Sequence, residues 1–386
     1  MSGTSRFRAL DGWRGVCALL VALHHIEVHG WLYWQPLVRN AWLFVDFFFV
    51  LSGFVIAHAY GERLGSRAGI QDFVLRRLGR LWPLHVAVLA ALVLLELSHL
   101  VIEHVHPMGD ARAAFALDRS PFAILTNLFL VQALGMHDSE TWNGPAWSIS
   151  CEFYTYLIFA AVCVFTAGRK ARLIVSALLA VAGLVVLARF SDYGMRETFH
   201  WAIFRCLYGF FTGVLAYEAW RSGAVRALGG TLAESAVLAA VIAFIVFAPG
   251  RSALEYLATP LFALAVLVFA ADQGLVSRAM TLRPAAALGR WSYSIYMVHT
   301  LMLALLFSGA HVAASLAHGA WLVRRPNGLA VLDLGSPLAN DLLTLAFLAA
   351  VVALSALTWR FVERPGQALF ARFAVRKPPV LTPQAA

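Results

Sequence analysis

Polar side chains that can carry chemistry lie inside the first apolar segment. The run RFRALDGWRGVCALLVALHHIEVHG places Arg14 and His25 eleven residues apart, which on an α-helix is about 1100°, so both share one face within about 20°. They are separated by about 16 Å along the axis, roughly half of a bilayer core. An imidazole can take or relay a proton near neutral pH. His25 is therefore a candidate general base, with a structural hydrogen bond to a neighbouring helix as the alternative.

A second cluster, DFVLRRLGRLWPLH, brings three arginines together just before another apolar block. Arg76 and Arg80 are predicted on one helical face, and Arg77 flanks them. Guanidinium groups offer planar forks of donors that match phosphate oxygens. The cluster is a candidate phosphate site or, from charge alone, an anchor that sets the topology. Pro83, which follows, is typical of the first turn of a helix.

Hydroxyl groups and a carboxylate form a third cluster in WNGPAWSISCEFYTY. Ser148, Glu152 and Tyr156 recur every four residues, so they share one helical face. Glu152 is a candidate for orienting His25 or for holding a hydroxylated acceptor. The alternative is a first-turn acid that complements the helix dipole.

The run LGRWSYSIYMVH forms a fourth cluster, again along one helical stripe. Its polar members are Ser292, Tyr296 and His299, the last predicted near the middle of the membrane. The run VDFFFVLSGF adds Asp46 and Ser52, followed by a glycine that permits close helix packing. Asp46 and Glu152 are the two candidates for fixing the tautomer of the His25 imidazole.

Metal-binding patterns are weak in this sequence. His25 and His29 have the i,i+4 spacing of a helical metal site, but no acidic partner stands in a recognisable pattern. The four cysteines all lie within apolar segments, where packing thiols are expected. We therefore predict no metal.

The composition indicates which elements must position these residues. Of 386 residues, 61% are hydrophobic and only 13% are charged, with a mean hydropathy of +0.74. Soluble domains are about 25% charged, so an ordinary globular enzyme is excluded. The net charge of +9 comes from basic residues between apolar blocks. Such residues set topology and bind anions, so no nucleic-acid partner is predicted.

The apolar blocks predict an all-α, polytopic membrane helix bundle of about ten transmembrane helices. The predicted spans are 14–30, 41–60, 82–103, 147–168, 173–189, 200–220, 232–248, 254–271, 291–310 and 339–361. With these spans and both termini inside, 21 Lys and Arg face the cytoplasm and 8 face outward. Counting the shorter block 121–136 as an eleventh span gives 13 inside against 16 outside. The positive-inside rule therefore predicts that 121–136 is a re-entrant or interfacial segment.

The order of the motifs resembles the acyltransferase family 3 membrane proteins. The matching runs are LDGWRG with its following His, FFFVLSGF, RRLGRLWP, WSISCEFY, GRWSYSIYMVH and FVERP, and they extend over residues 8–365. The resemblance implies a ten-helix domain, here 1–365, followed by a tail, 366–386, that we expect to be cytoplasmic and disordered. Trp13 stands where a leucine is commoner. We see no appended hydrolase-like domain, so we expect the membrane domain itself to deliver the acyl group.

The resemblance also assigns roles to residues. It implies His25, Arg14 and Glu152 as catalytic, and it associates the arginine cluster of Arg76, Arg77 and Arg80 with acyl-CoA. We further expect a substrate-binding or supporting role for Asp11, Asp46, Ser52, Trp147, Ser148, Tyr156, Ser292, Tyr296 and His299, of which the resemblance covers Trp147 and Ser148.

The resulting hypothesis is an O-acyltransferase of the bacterial inner membrane. It would move an acyl group, by expectation acetyl, from cytoplasmic acetyl-CoA or another acyl-CoA to a carbohydrate or glycolipid, such as an exopolysaccharide or lipopolysaccharide O-antigen, or to a macrolide. His25 acts either as general base or as transient acyl carrier. Membrane lipid is the other expected partner, and we predict no particular oligomeric state. The alternatives are a proton-coupled transporter or flippase, against which no inverted repeat is visible, and a ligand sensor without chemistry.

Overall fold

The structure is a computed structural model that describes residues 7–105, 113–223, 228–250, 252–317, 322–324 and 330–374. These residues are predominantly helical. The helices are α1 Arg8–His25, α2 Trp31–Trp34, α3 Pro36–Arg39, α4 Phe44–Tyr60, α5 Arg67–Val105, α6 Pro121–Leu128, α7 Trp147–Phe165, α8 Gly168–Phe190, α9 Ala202–Ser222, α10 Thr231–Phe247, α11 Ser252–Glu255, α12 Ala258–Phe269, α13 Leu275–Met280, α14 Arg283–Ala317, α15 Pro337–Thr358 and α16 Arg364–Phe373. A π-helical turn, Trp359–Glu363, joins α15 to α16. Strands β1 (Leu322–Arg324) and β2 (Ala330–Leu332) form one antiparallel pair.

Six helical stretches are long and apolar enough to cross a membrane. They are Ala41–Tyr60, Arg67–Ile102, Gly144–Phe165, Gly168–Phe190, Arg283–Ala313 and Pro337–Phe373. α10 and α12 are shorter apolar helices. The architecture confirms the expected all-α, multi-pass membrane bundle, and the count of ten spans stays a prediction.

The segment 121–136 contains only the eight-residue helix α6. A helix of this length is about 12 Å long, which is far shorter than the bilayer core. The buried His85 side chain of α5 hydrogen-bonds the backbone carbonyl of Asn127 through Nε2 at 2.9 Å, and the Asn127 side-chain amide donates to the Thr141 hydroxyl at 2.9 Å. Polar contacts to the bundle thus hold a segment that does not cross as a helix, in agreement with the sequence-based expectation.

Reporter fusions test the predicted topology. From the 21-to-8 charge split, we expect a reporter inserted in the loop 137–146 to score as outside and one at Lys170 to score as cytoplasmic. Alkaline phosphatase and green fluorescent protein fusions measure the two sides. Inverted readings, cytoplasmic in 137–146 and outside at Lys170, would contradict the re-entrant assignment, because a crossing by 121–136 reverses the side of every later segment. Identical readings at both positions would instead contradict the predicted span 147–168, which lies between them.

Helix α1 is fixed at its start and along its length. The Asp272 carboxylate accepts hydrogen bonds from the backbone N–H groups of Arg8 (3.0 Å) and Ala9 (2.8 Å), so a residue distant in sequence caps the helix. Further along, Gly15 and Gly289 bring the backbones of α1 and α14 together, and a Cβ atom at either position would overlap the facing backbone. This contact sets the distance between the two helices that carry Arg14, His25, Ser292 and Tyr296.

Helix α5 departs from the sequence-based expectation at Pro83. The proline was expected in a first helical turn, but α5 begins at Arg67 and runs through it. The proline ring faces Gly366 of α16, where a Cβ atom would lie 2.5 Å from it. α16 continues to Phe373, so the first residues of the expected tail are helical and packed; residues 375–386 lie outside the described residues.

Candidate active site

A cavity of about 150 Å³ lies between α1, α4, α5, α7 and α14. Residues Val45 to Ile56 of α4 supply most of its apolar wall, which is about 16 Å long. The polar side chains that line it are Arg14, Ser52, Arg77, Arg80, Ser148, Glu152, Tyr156, Ser292, Tyr293 and Tyr296. The structure therefore brings together residues from all four sequence clusters.

The Arg14 guanidinium is held against α14. Its Nε donates to Ser292 Oγ at 2.9 Å and its Nη2 donates to the Gly289 carbonyl at 3.1 Å. Asp11, one helical turn earlier, forms an ion pair with it at 3.4 Å. Groups on α14 and on α1 itself thus orient Arg14, and the ion pair with Asp11 balances its positive charge only in part.

The three arginines of α5 do not all face the cavity. Arg76 points away from the cavity and binds both carboxylate oxygens of Asp72 at 2.8 and 2.9 Å. Arg77 and Arg80 line the cavity. Arg76 and Arg80 are four residues apart on α5, as the sequence predicts, but only Arg80 and the flanking Arg77 reach the cavity.

Arg77 is the least neutralised of these arginines. Its guanidinium lies over the rings of Tyr60 (5.4 Å) and Tyr156 (5.9 Å). Its Nε is buried and has no hydrogen-bond partner among the described residues, which also provide no carboxylate for it. A buried cation without an anionic partner favours binding of an anion.

Glu152, Tyr156 and Ser52 form a hydrogen-bonded chain along the cavity wall. The Tyr156 hydroxyl donates to Glu152 Oε1 at 2.5 Å. Ser52 Oγ lies 2.9 Å from the same hydroxyl, and because a phenol has one proton, the serine is the donor in this contact. Ser148 and Tyr296 form a second hydroxyl pair, 2.8 Å apart, beside the Pro145 carbonyl.

His25 is the last residue of α1. Its Nδ1–H donates to the Val21 carbonyl at 2.8 Å, so the neutral imidazole carries its lone pair on Nε2. The ring lies 5.0 Å from that of His299, which lies 5.9 Å from the ring of cavity-lining Tyr296. His299 is buried, and its Nδ1 contacts the Ile295 carbonyl at 3.2 Å. These rings connect His25 to the hydroxyl end of the cavity.

A known family model, described as an acyltransferase domain (acyltransferase family 3), matches residues 7–360. The chain belongs to this family. It is similar to "Protein 2 in picA locus" of Rhizobium radiobacter, with 33% identity over 193 residues, covering 49% of this chain and 98% of that protein. No solved structure matches the chain. The protein is thus a multi-pass membrane acyltransferase, and the resemblance stated from the motifs is confirmed.

In this acyltransferase Asp46 has a different position from the one expected. Its carboxylate is buried and binds Arg205 in a bidentate manner, at 2.9 and 2.7 Å. Within the described residues it makes no hydrogen bond to His25, and neither does Glu152. The backbone carbonyl of Val21 takes the tautomer-fixing role that was expected of these acids.

Trp147 belongs to the surroundings of the Asp46–Arg205 pair. The Arg205 guanidinium lies 5.1 Å from the Trp147 ring and 5.5 Å from that of Trp42. The indole also packs edge-on against Phe49 at 5.8 Å. Trp147 is absent from the cavity lining, and its contacts point to packing directly before Ser148.

His29 does not continue the helical spacing from His25, because α1 ends at His25. Its Nδ1 lies 3.8 Å from the Asp333 carboxylate. The amide of Asn340 and the backbone N–H of Gly335 stabilise the Asp333 carboxylate, which lowers its pKa. In the described part of the chain, no group of three or more His, Cys, Asp or Glu residues is placed to hold a metal.

Two site residues were not assigned by sequence reasoning. Tyr293 lines the cavity, donates to the Leu81 carbonyl and lies 5.3 Å from the Arg80 guanidinium. Glu363 forms an ion pair with Arg80. The only sequence signal for either is its place inside a matching motif, GRWSYSIYMVH for the tyrosine and FVERP for the glutamate.

Proposed function

We propose that this acyltransferase moves a short acyl group, by expectation acetyl, from cytoplasmic acyl-CoA to a hydroxyl of a carbohydrate or glycolipid acceptor in the bacterial inner membrane. One observation carries the proposal. A single cavity has guanidinium groups at one end and a hydroxyl-rich end that leads to His25 through Tyr296 and His299.

The arginine end suits the donor. Acyl-CoA carries several phosphate charges, and Arg77 offers a guanidinium with no carboxylate partner in the described chain. Arg14 and Arg80 extend the same positive region along the cavity. From the charge split of the loops we expect this end on the cytoplasmic side, where acyl-CoA is found.

The volume of the cavity supports a short acyl group. About 150 Å³ is comparable to an engineered cavity that accepts one benzene ring. Acetyl fits within this volume. The acceptor class follows the resemblance to enzymes that modify glycans and macrolides, and many surface glycans present hydroxyls outside the membrane.

In the proposed step, His25 Nε2 takes the proton of the acceptor hydroxyl while the oxygen attacks the thioester carbonyl carbon. The carbon–sulfur bond breaks, and the CoA thiolate receives the proton back from the imidazolium. The products are the O-acyl ester and CoA-SH. In the neutral ring, the Val21 carbonyl holds the proton on Nδ1 and leaves the Nε2 lone pair available.

Release of free thiol tests the proposal. Purified protein in detergent or nanodiscs is expected to release CoA-SH from acetyl-CoA, more rapidly when acceptor glycan is present, and deletion of the gene is expected to remove O-acetyl signals from the cell's glycans. Transport of a glycan or small molecule without thiol release would contradict acyl transfer and favour the transporter.

Arg77→Ala and Arg76→Ala form a matched pair for the donor site. We expect Arg77→Ala to weaken CoA binding about tenfold or more, because a charge-assisted hydrogen bond contributes about 1.5–3 kcal/mol. Arg76→Ala removes the same charge one residue away, where it binds Asp72 outside the cavity, and we expect a much smaller effect. Isothermal titration with CoA measures both.

The same titrations at two salt concentrations separate specific binding from general attraction. Phosphate attraction is screened by salt, so the loss on Arg77→Ala should be larger at low ionic strength. Equal losses of CoA affinity in Arg77→Ala and Arg76→Ala would show that these arginines only set the membrane topology.

A further inference from the structure

Glu363 is a buried carboxylate to which the proposed reaction gives no role. It is 1% exposed and ends the π-helical turn that joins α15 to α16. Three donors surround it: the Arg80 guanidinium, Ser294 Oγ at 2.9 Å and Gln367 Nε2 at 3.1 Å. A charge buried in this way is tolerated because its lone pairs are satisfied.

The same C-terminal segment holds the backbone on both sides of Arg80. Phe370 packs on Gly79, where a Cβ atom would lie 2.5 Å from it, and on Trp82 at 6.2 Å between ring centroids. Gly366 packs on Pro83. The stretch of α5 that carries Arg80 is therefore packed against α16, and its backbone cannot shift relative to the cavity without breaking these contacts.

Helix α14 completes the arrangement through two alternate serines. Ser292 binds Arg14 at 2.9 Å, whereas Ser294 binds Glu363 and thereby supports Arg80. Between them, Tyr293 lies beside the Arg80 guanidinium. One short run of α14 thus aligns two cavity-lining arginines, one directly and one through a carboxylate.

We propose that Glu363 is a positioning residue for Arg80, which makes the C-terminal segment 359–373 part of the donor site. Glu363 engages Nη1 of Arg80. Because a guanidinium is a rigid planar fork, fixing one nitrogen directs the others, here toward the phosphate or thioester oxygen of the bound acyl-CoA. This inference rests on the proposed function.

The direction in which CoA affinity changes when the Glu363 carboxylate is removed distinguishes a positioning role from simple neutralisation of Arg80. A carboxylate that only neutralises Arg80 competes with an anionic ligand, so its removal strengthens CoA binding. A carboxylate that orients Arg80 supports the ligand, so its removal weakens binding. The test compares CoA affinity by isothermal titration in full-length protein carrying Glu363→Ala, Arg80→Ala or both changes.

We expect Glu363→Ala to weaken CoA binding about tenfold and to add nothing in the Arg80→Ala background, since it acts through that residue. Glu363→Gln keeps an acceptor oxygen for Arg80 and Ser294, and it should lose less affinity than the alanine variant. Ser294→Ala removes one support of the carboxylate without removing a buried charge, and we expect a loss of about two- to threefold.

Glu96→Ala is the matched control. Glu96 is also 1% exposed and also binds an arginine, Arg119 at 2.8 Å, but it lies away from the cavity lining. We expect it to destabilise the protein while leaving CoA affinity unchanged. Unchanged or tighter CoA binding in the folded Glu363→Ala variant would overturn the inference. If that variant does not fold, unchanged affinity in both Glu363→Gln and Ser294→Ala does the same. Failure of the wild type to bind CoA would overturn the proposed function itself.

Discussion

His25→Ala is expected to lower the rate of acyl transfer by about two to four orders of magnitude, the usual cost of removing a general base. The change deletes the Nε2 lone pair that the Val21 contact leaves available. It leaves Arg14, Arg77 and Arg80 in the cavity, so insertion and CoA affinity should stay near wild type. Single-turnover release of CoA-SH in the presence of acceptor measures the chemical step separately from binding.

His24→Ala is the matched control for this prediction. His24 also donates from the last turn of α1 to a backbone carbonyl, that of Val38 at 3.1 Å. Its side chain points about 100° away from that of His25. We expect a small loss of transfer. The assignment of His25 is wrong if His25→Ala transfers at a near-normal rate while His24→Ala does not, and His299 is then the next candidate.

Replacing either partner of the Asp46–Arg205 pair is expected to destabilise the protein by about 3–5 kcal/mol, because the remaining charge is left buried without its counter-ion. Both side chains are almost fully buried, at 0% and 2% exposure. Arg205 also donates to the Glu197 carbonyl at 3.3 Å, so the pair ties α4 to α9 and to the preceding loop. Thermal unfolding of Asp46→Leu and Arg205→Leu in detergent measures the effect.

Two comparisons interpret that measurement. The double variant Asp46→Leu/Arg205→Leu should be more stable than either single variant, since no charge is then left unpaired. Glu62→Leu breaks an exposed pair with Arg221 (2.7 Å), and it should cost about 1 kcal/mol or less. Equal unfolding temperatures for Asp46→Leu and Glu62→Leu would show that the buried Asp46–Arg205 pair contributes no more to stability than an exposed pair does.

Spacing along a single helix could be predicted well from the sequence. Ser148, Glu152 and Tyr156 do share one face of α7, and all three line the cavity as their period predicts. The same rule places Ser292 and Tyr296 together on α14. These assignments depend only on the regular geometry of the helix, so no knowledge of the neighbouring helices is needed.

The rotation of a helix about its own axis could not be predicted in this way. Sequence spacing pairs Arg76 with Arg80, yet α5 turns Arg77 and Arg80 inward because α14 and α16 pack on that side. The partner of Asp46 lies 159 residues away on α9. Such contacts depend on how helices meet, and spacing within one helix carries no information about them.

Helix α1, packed on α14 through a glycine contact, sets a fixed distance between Arg14 and His25. Gly15 and Gly289 seat α1 directly against the backbone of α14, and the rise of the α-helix keeps Arg14 and His25 about 16 Å apart along the axis. In the proposed reaction the donor must then cover this distance with its own flexible arm. The enzyme would therefore select thioesters by the length of the arm between phosphate and thioester. A phosphorylated thioester with too short an arm would bind at the arginine end of the cavity and inhibit the enzyme without reacting.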